Sequence, residues 1–238
     1  MLAPGREDAA FVLLSLDPSP WFVRHARGVA EVASWLASRA GRRGLGIDRP
    51  AVEAAALLHD VDKALPPTDP IRRLRHGEGS AAWLTAHGHP ELAPLVARHP
   101  VTRLADPDAV AWLADAPLEA LLVAYADKRA GQHLEPMEER FAGWARRYPL
   151  GAKHGWDEAT VEQVLARARR LERDVCDRLA IEPDEVRRIR WTRAALQAAM
   201  AADGRDPITT RPGTGRSSPP ALAPPSRGDA RSPRGGAR

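Results

Sequence analysis

Val29-Ala30-Glu31-Val32-Ala33-Ser34-Trp35-Leu36-Ala37 decides the fold class, because Val29, Val32, Ala33, Leu36 and Ala37 return at intervals of three and four, not two. That spacing lines one face of a helix. The same rhythm recurs in Leu118, Leu121, Leu122 and Tyr125, while β-type alternation of useful length and internal repeats are both absent from the sequence. The chain therefore reads as all-α. Helices are predicted over about Trp21–Arg39, Arg49–Asp60, Gly77–His87, Pro90–Arg98, Pro107–Ala114, Leu118–Ala130 and Pro136–Arg147. Breaks fall where turn residues cluster: Gly41 to Asp48, Pro66-Pro67 to Pro70, Gly88 to Pro90, and Pro100.

After Tyr148-Pro149 the character changes. Val161, Val164, Leu165, Ala168, Leu171, Val175 and Leu179 form one stripe among Arg and Glu, which predicts an amphipathic helix over Asp157 to Leu179. Pro183 suits the first turn of a further helix, from Asp184 to about Met200. Three parts follow: residues 1–150, which carry the chemistry argued below; 151–201, a helical extension that packs back on them or meets another subunit; and 202–238, a tail. In the tail nearly every residue is Gly, Pro, Ser, Thr, Ala, Asp or Arg, so burial cannot offset ordering entropy and disorder is predicted.

The tail carries seven Arg against three Asp, which accounts for the formal net charge of +4 and leaves residues 1–201 near neutrality. The high pI of about 9.8 thus belongs to a flexible arm and gives little support to a nucleic-acid partner. Cys176 is the only cysteine, so an intrachain disulfide is impossible and a reducing compartment, the cytoplasm, is the expectation. The apolar run Ala9 to Leu14 is too short and too close to acidic residues for a signal peptide. No stretch approaches the roughly 20 apolar residues that span a bilayer, so no membrane association is expected.

Chemistry concentrates around His59-Asp60, which closes the apolar run Ala54-Ala55-Ala56-Leu57-Leu58. Neighbouring residues on a helix point about 100° apart, so the pair shares one cation only if the ion lies beyond the helix end or between elements. The predicted helix stops there, and its last carbonyls favour a cation. His25 lies upstream among the small residues Ala26, Gly28 and Ala30, and His76 and His99 follow downstream. Asp127 sits inside the apolar stretch Leu121 to Ala126, where an unpaired carboxylate is costly. His87 and His89 flank a turn glycine and read as surface residues; His133 and His154 lie in loops without partner motifs.

The order His25, His59-Asp60, His76, His99, Asp127 resembles the HD-domain superfamily of metal-dependent phosphohydrolases, over roughly residues 20–148. Leu58-His59-Asp60-Val61-Asp62-Lys63 and Tyr125-Ala126-Asp127-Lys128 look like its two signature segments. The resemblance implies an all-α helical bundle in which His25, His59, Asp60 and Asp127 hold one divalent ion and Asp60 bridges to a second held by His76 and His99. The alternative is a mononuclear site whose His76 and His99 meet phosphate or solvent. Iron, manganese or a similar transition metal is implied, with magnesium also compatible. Asp60 and Lys63 are then the catalytic candidates, acting on a nucleotide or another small phosphate ester or anhydride through metal-activated water.

Lys63 follows the doublet closely enough to neutralise substrate phosphate, with Arg129 a second substrate-binding candidate and Arg140 a weaker one. The family usually has glycine or alanine where this chain has Asp62, a carboxylate that could pair with Lys63 or repel phosphate. The sequence has neither a Walker-type loop nor the Gly-Tyr-Pro element of the cyclic-di-GMP phosphodiesterase branch. Length and order look closest to small stand-alone bacterial HD hydrolases, including dinucleoside-polyphosphate hydrolases. An HD-type di-iron oxygenase and a non-catalytic nucleotide-binding HD protein are the alternatives, and a homodimer is left open.

Overall fold

The periodic stretch lies in the middle of helix α2 (Pro20–Arg42), which follows a first helix α1 (Arg6–Ser15). The computed structural model describes residues 3–147 and 156–203, apart from the side chains of Ala145 and Arg147. Ser19 caps α2 by accepting from the Phe22 N–H, and Pro20 costs nothing at a position whose N–H is free anyway. Val29, Val32, Ala33 and Leu36 are fully buried on its inner face. Asp48 caps α3 (Arg49–Leu58) in the same way, through the Ala51 N–H. The chain bends at Asp60 into a single turn, α4 (Val61–Ala64), stopped by Leu65-Pro66-Pro67.

Helices α5 (Glu78–Ala86), α6 (Ala93–Val96) and α7 (Ala109–Asp115) lead to α8 (Leu118–Arg129), which is buried on every side from Ala120 onward. A helix covered all round must sit at the centre. Helix α8 packs on α2, α3 and α6. Helix α9 (Met137–Arg147) follows, and α10 (Glu158–Leu179) lays the buried stripe Val164, Ala168, Leu171, Val175 and Leu179 against α8 and α2. The last helix, α11 (Thr192–Ala202), packs on α1. Among the described residues the fold is all-α, and ladder pairing is confined to one bridge between Ala130 and Leu134.

Three expectations change. The expected helix over Pro90–Arg98 shrinks to Ala93–Val96, because Pro94 lacks an N–H and fits only a first turn. The expected helix from Asp184 gives way to a 3-10 turn, Pro183–Glu185, and a non-helical run before α11. Glu31, 1% exposed, explains the change: its backbone carbonyl accepts from the Ile189 N–H, while its carboxylate takes Arg188 at 2.8 Å and the Thr192 hydroxyl. Those bonds outrank helical ones locally. Helix α1, for which the periodicity gives no signal, buries Ala9, Ala10 and Leu13 and is tied by Arg6 to the buried Glu53 of α3 at 2.7 Å. The tail from residue 204 on, and His154, lie outside the described residues.

Candidate metal centre

The bend after α3 aims His59 and Asp60 inward together, and α2, α8 and two loops bring the other donors to them. His25 of α2 places Nε2 3.2 Å from His59 Nε2, 3.5 Å from Asp60 Oδ2 and 3.4 Å from Asp127 Oδ1. His59 Nε2 lies 3.5 Å from Asp60 Oδ2 and 3.7 Å from Asp127 Oδ1. On the opposite edge of Asp60, Oδ1 lies 3.0 Å from His76 Nε2 and 3.1 Å from His99 Nε2. His25, His59 and Asp60 form one cluster and Asp60, His76 and His99 a second, with Asp127 facing the first through His25 and His59.

The far ring nitrogens decide which lone pairs are free. His59 Nδ1 donates to Ala56 O at 2.8 Å and His99 Nδ1 donates to Val96 O at 2.6 Å, and a carbonyl can only accept. Each of these imidazoles, when neutral, keeps its Nε2 lone pair facing the centre. Lone pairs of nitrogen and carboxylate oxygen converging at these distances repel unless a proton or a cation lies between them. The donor set thus fits a divalent metal: buried imidazoles oriented by backbone carbonyls, with carboxylates supplying negative charge.

In the metal-free protein, protons take up part of that role. Burial would lower the His25 imidazole, but hydrogen bonds to Asp127 and Asp60 carry it up to about 9. Burial likewise opposes charge on His76, yet Asp60 and Asp62 bring it to about 9. His99, fully enclosed, is taken by burial down to about 4. Burial would raise both carboxyls, but Asp60 is held well below its usual range by His59, Lys63, His25 and His76, and Asp127 by His25 and His59. Acceptors of this kind are primed for cations.

Lys63 Nζ reaches Asp60 Oδ2 at 2.9 Å, so it pairs neither with Asp62 nor with a surface group, and its side chain remains 45% exposed toward the cavity. That cavity, about 1510 Å³, opens directly over His25, Asp60, His76 and Asp127, with Arg140 and His133 farther along its wall. Gly77, at φ +88°, keeps His76 in place: a Cβ there would lie 2.5 Å from Ala97 O and 2.9 Å from Pro100 Cδ.

Arg129 is corrected. Its Nε donates to Glu135 O at 2.8 Å, while Nη1 donates to Tyr125 Oη at 2.5 Å and Pro183 O at 3.0 Å and faces Glu172 at 3.3 Å. It fastens α10 to α8 and is absent from the cavity wall. His87 bonds Trp83 O and His89 lies near Glu91, both away from the centre.

Two features near the centre escape sequence reasoning. Trp21, 52% exposed on the wall, stacks on His25 with ring centroids 5.9 Å apart and planes 23° apart. Lys128, fully buried, donates to His99 O at 2.6 Å and to Ala124 O, and burial takes its amine down to about 8. An ammonium in an apolar helix was the available signal for Lys128. For Trp21 the sequence contains none.

These elements define an all-α bundle that encloses a buried histidine–aspartate cluster fit for a divalent metal. Residues 22–131 match the family model of the HD domain, so this segment is similar to that family. The match takes in every one of the six donors. No curated protein and no solved structure matches the chain.

Proposed function

We propose that this chain is a metal-dependent phosphohydrolase that cleaves a nucleotide, or another small phosphate ester or anhydride, with water. The observation that carries the reading is Asp60: one carboxylate shared between two sets of imidazole donors, at the floor of a cavity that also holds an ammonium. The two donor sets would hold the ions, which when bound would supply Lewis acidity and a water acidic enough to serve as nucleophile at neutral pH. Imidazole-rich donors favour iron, manganese or a similar transition metal over magnesium.

The protein's own groups do the rest. Asp60 sets the spacing of the two clusters. Lys63, exposed beside it, is placed to neutralise a phosphate oxygen of a substrate entering from the cavity. Trp21, on the cavity wall and stacked on His25, offers an aromatic face, which favours a substrate with a base. An HD-type di-iron oxygenase would use the same donors, and Lys63 is the residue that favours phosphate instead. The intact donor set argues against a purely binding role. Cys176 as the sole cysteine supports action in the cytoplasm, and among the described residues no helix is long and apolar enough to cross a membrane.

The deciding experiment is metal content of protein purified without chelator, followed by phosphate release over a panel of nucleotides and phosphate esters. Protein that carries metal, takes up dioxygen and releases no phosphate from any member would reverse the reading.

Lys63→Ala should retain metal and lose about 1.5–3 kcal/mol in kcat/KM, the worth of a charge-assisted hydrogen bond. An unchanged kcat/KM on the best substrate would make the lysine structural. Trp21→Ala should raise KM for a nucleotide by roughly 5- to 150-fold, equivalent to about 1–3 kcal/mol of base stacking, while leaving inorganic pyrophosphate unaffected. Equal losses on both substrates would remove the base-stacking role.

A further inference from the structure

His76 is held differently from the other two oriented histidines. His59 and His99 rest their Nδ1–H groups on neutral backbone carbonyls of their own segments. His76 sits in a loop with its side chain 29% exposed, and its Nδ1 faces a carboxylate: Asp62 Oδ2 at 2.9 Å and Oδ1 at 3.1 Å. Asp62 is itself 5% exposed and anchored. Ser80 Oγ donates to its Oδ1 at 3.0 Å, and the Asp62 N–H donates to Ser80 Oγ at 3.3 Å. Helix α5 approaches so closely that a Cβ on Gly79 would stand 3.0 Å from both Cβ and Oδ2 of Asp62. Lys63, the adjacent cation, turns away to Asp60.

Resting on the metal-centre reading above, we infer that Asp62, braced by Ser80, is a positioning residue for the Asp60–His76–His99 cluster. It keeps the proton of His76 on Nδ1 and aims the Nε2 lone pair inward. Its negative charge also makes that imidazole a stronger donor than one resting on a carbonyl. The need is local. This cluster has three protein donors, one of them shared, and its most exposed member would otherwise rotate and hydrate freely. The other cluster is enclosed by helices, and the far nitrogen of His59 there rests on the neutral Ala56 carbonyl.

The test is calorimetric titration of Co²⁺ into chelator-stripped full-length protein. Wild type should show two classes of site. Asp62→Ala should weaken one class by about 10- to 100-fold, the usual consequence of losing the group behind a metal-ligating histidine. The other class should stay unchanged. Asp62→Asn, which still accepts from Nδ1–H but carries no charge, should fall between. Ser80→Ala, a smaller change that threatens folding least, should weaken the same class in the same direction.

In Zn²⁺-loaded protein the His76 Nδ1–H should give a slowly exchanging ring-proton NMR signal, assigned by its absence in His76→Gln and lost in Asp62→Ala. Unchanged Co²⁺ affinity in Asp62→Ala, or equal weakening of both classes together with a lowered Tm, would overturn the proposal. Failure of the hydrolase reading looks different: tight Co²⁺ binding with no phosphate release. A wild type that binds no Co²⁺ would instead remove the metal centre itself.

Discussion

Asp60→Ala should empty both metal clusters at once and lower kcat/KM by at least about 1,000-fold, since Lewis-acid assistance is worth several kcal/mol and each 1.36 kcal/mol is a factor of ten. The reason lies in its two oxygens, Oδ2 facing His25 and His59, Oδ1 facing His76 and His99. Single-cluster variants should differ from it. His99→Ala or His76→Ala should halve the metal content, whereas His25→Ala or Asp127→Ala should empty the other cluster. His59→Ala should resemble His25→Ala in metal and abolish turnover, because its Nε2 lies between His25 and both carboxylates. Elemental analysis of each purified variant, with helical circular dichroism to exclude unfolding, checks the pattern. Stoichiometric metal retained in Asp60→Ala would sink the shared-carboxylate arrangement, and one ion per active wild-type chain would sink the dinuclear one.

Sequence reasoning reached this centre because its donors announce themselves where they are costly. Asp127 lies in a helix of buried apolar residues, and His59-Asp60 closes another such run. A charged group there requires a reason. The helices that hold them are equally readable, since Val29 to Ala37 in α2 and Leu118 to Tyr125 in α8 repeat at three and four.

What stayed hidden depends on partners remote in sequence. Glu31 and Glu53 look like ordinary surface positions between apolar neighbours, yet they are buried by Arg188 and Thr192 on one side and Arg6, Arg49 and Ser34 on the other. No local pattern encodes a bond across 157 residues. Helix α1 turns only Ala9, Ala10 and Leu13 inward and hence has a weak period. Asp62 was read against its neighbour Lys63, when its real partners are His76 and Ser80, brought up by the loop and by α5.

Arg129 shows the same limit in reverse, and predicts the largest loss of stability. Charge next to a metal ligand suggested a phosphate hand, but the side chain is 5% exposed and its donors are engaged by Tyr125, Glu172, Glu135 O and Pro183 O. Arg129→Met should therefore cost about 3–5 kcal/mol, because it leaves the Glu172 carboxylate without its cation and the Glu135 carbonyl without its side-chain donor at the α8–α10 contact. At roughly 2–4 °C per kcal/mol for a domain of this size, Tm should fall by about 6–20 °C. Metal content should survive, as no donor is touched. Arg129→Lys keeps the charge but concentrates its donors on one atom, so it cannot serve Glu135 O and Tyr125 Oη together, and an intermediate loss is expected. Calorimetric melting of the metal-loaded variants, alongside kcat/KM below the melting range, separates a brace from a substrate contact. Lys63→Ala should lose turnover and keep its Tm, and Arg129→Met should do the opposite. An Arg129→Met protein that melts with the wild type but loses kcat/KM would return Arg129 to the substrate site.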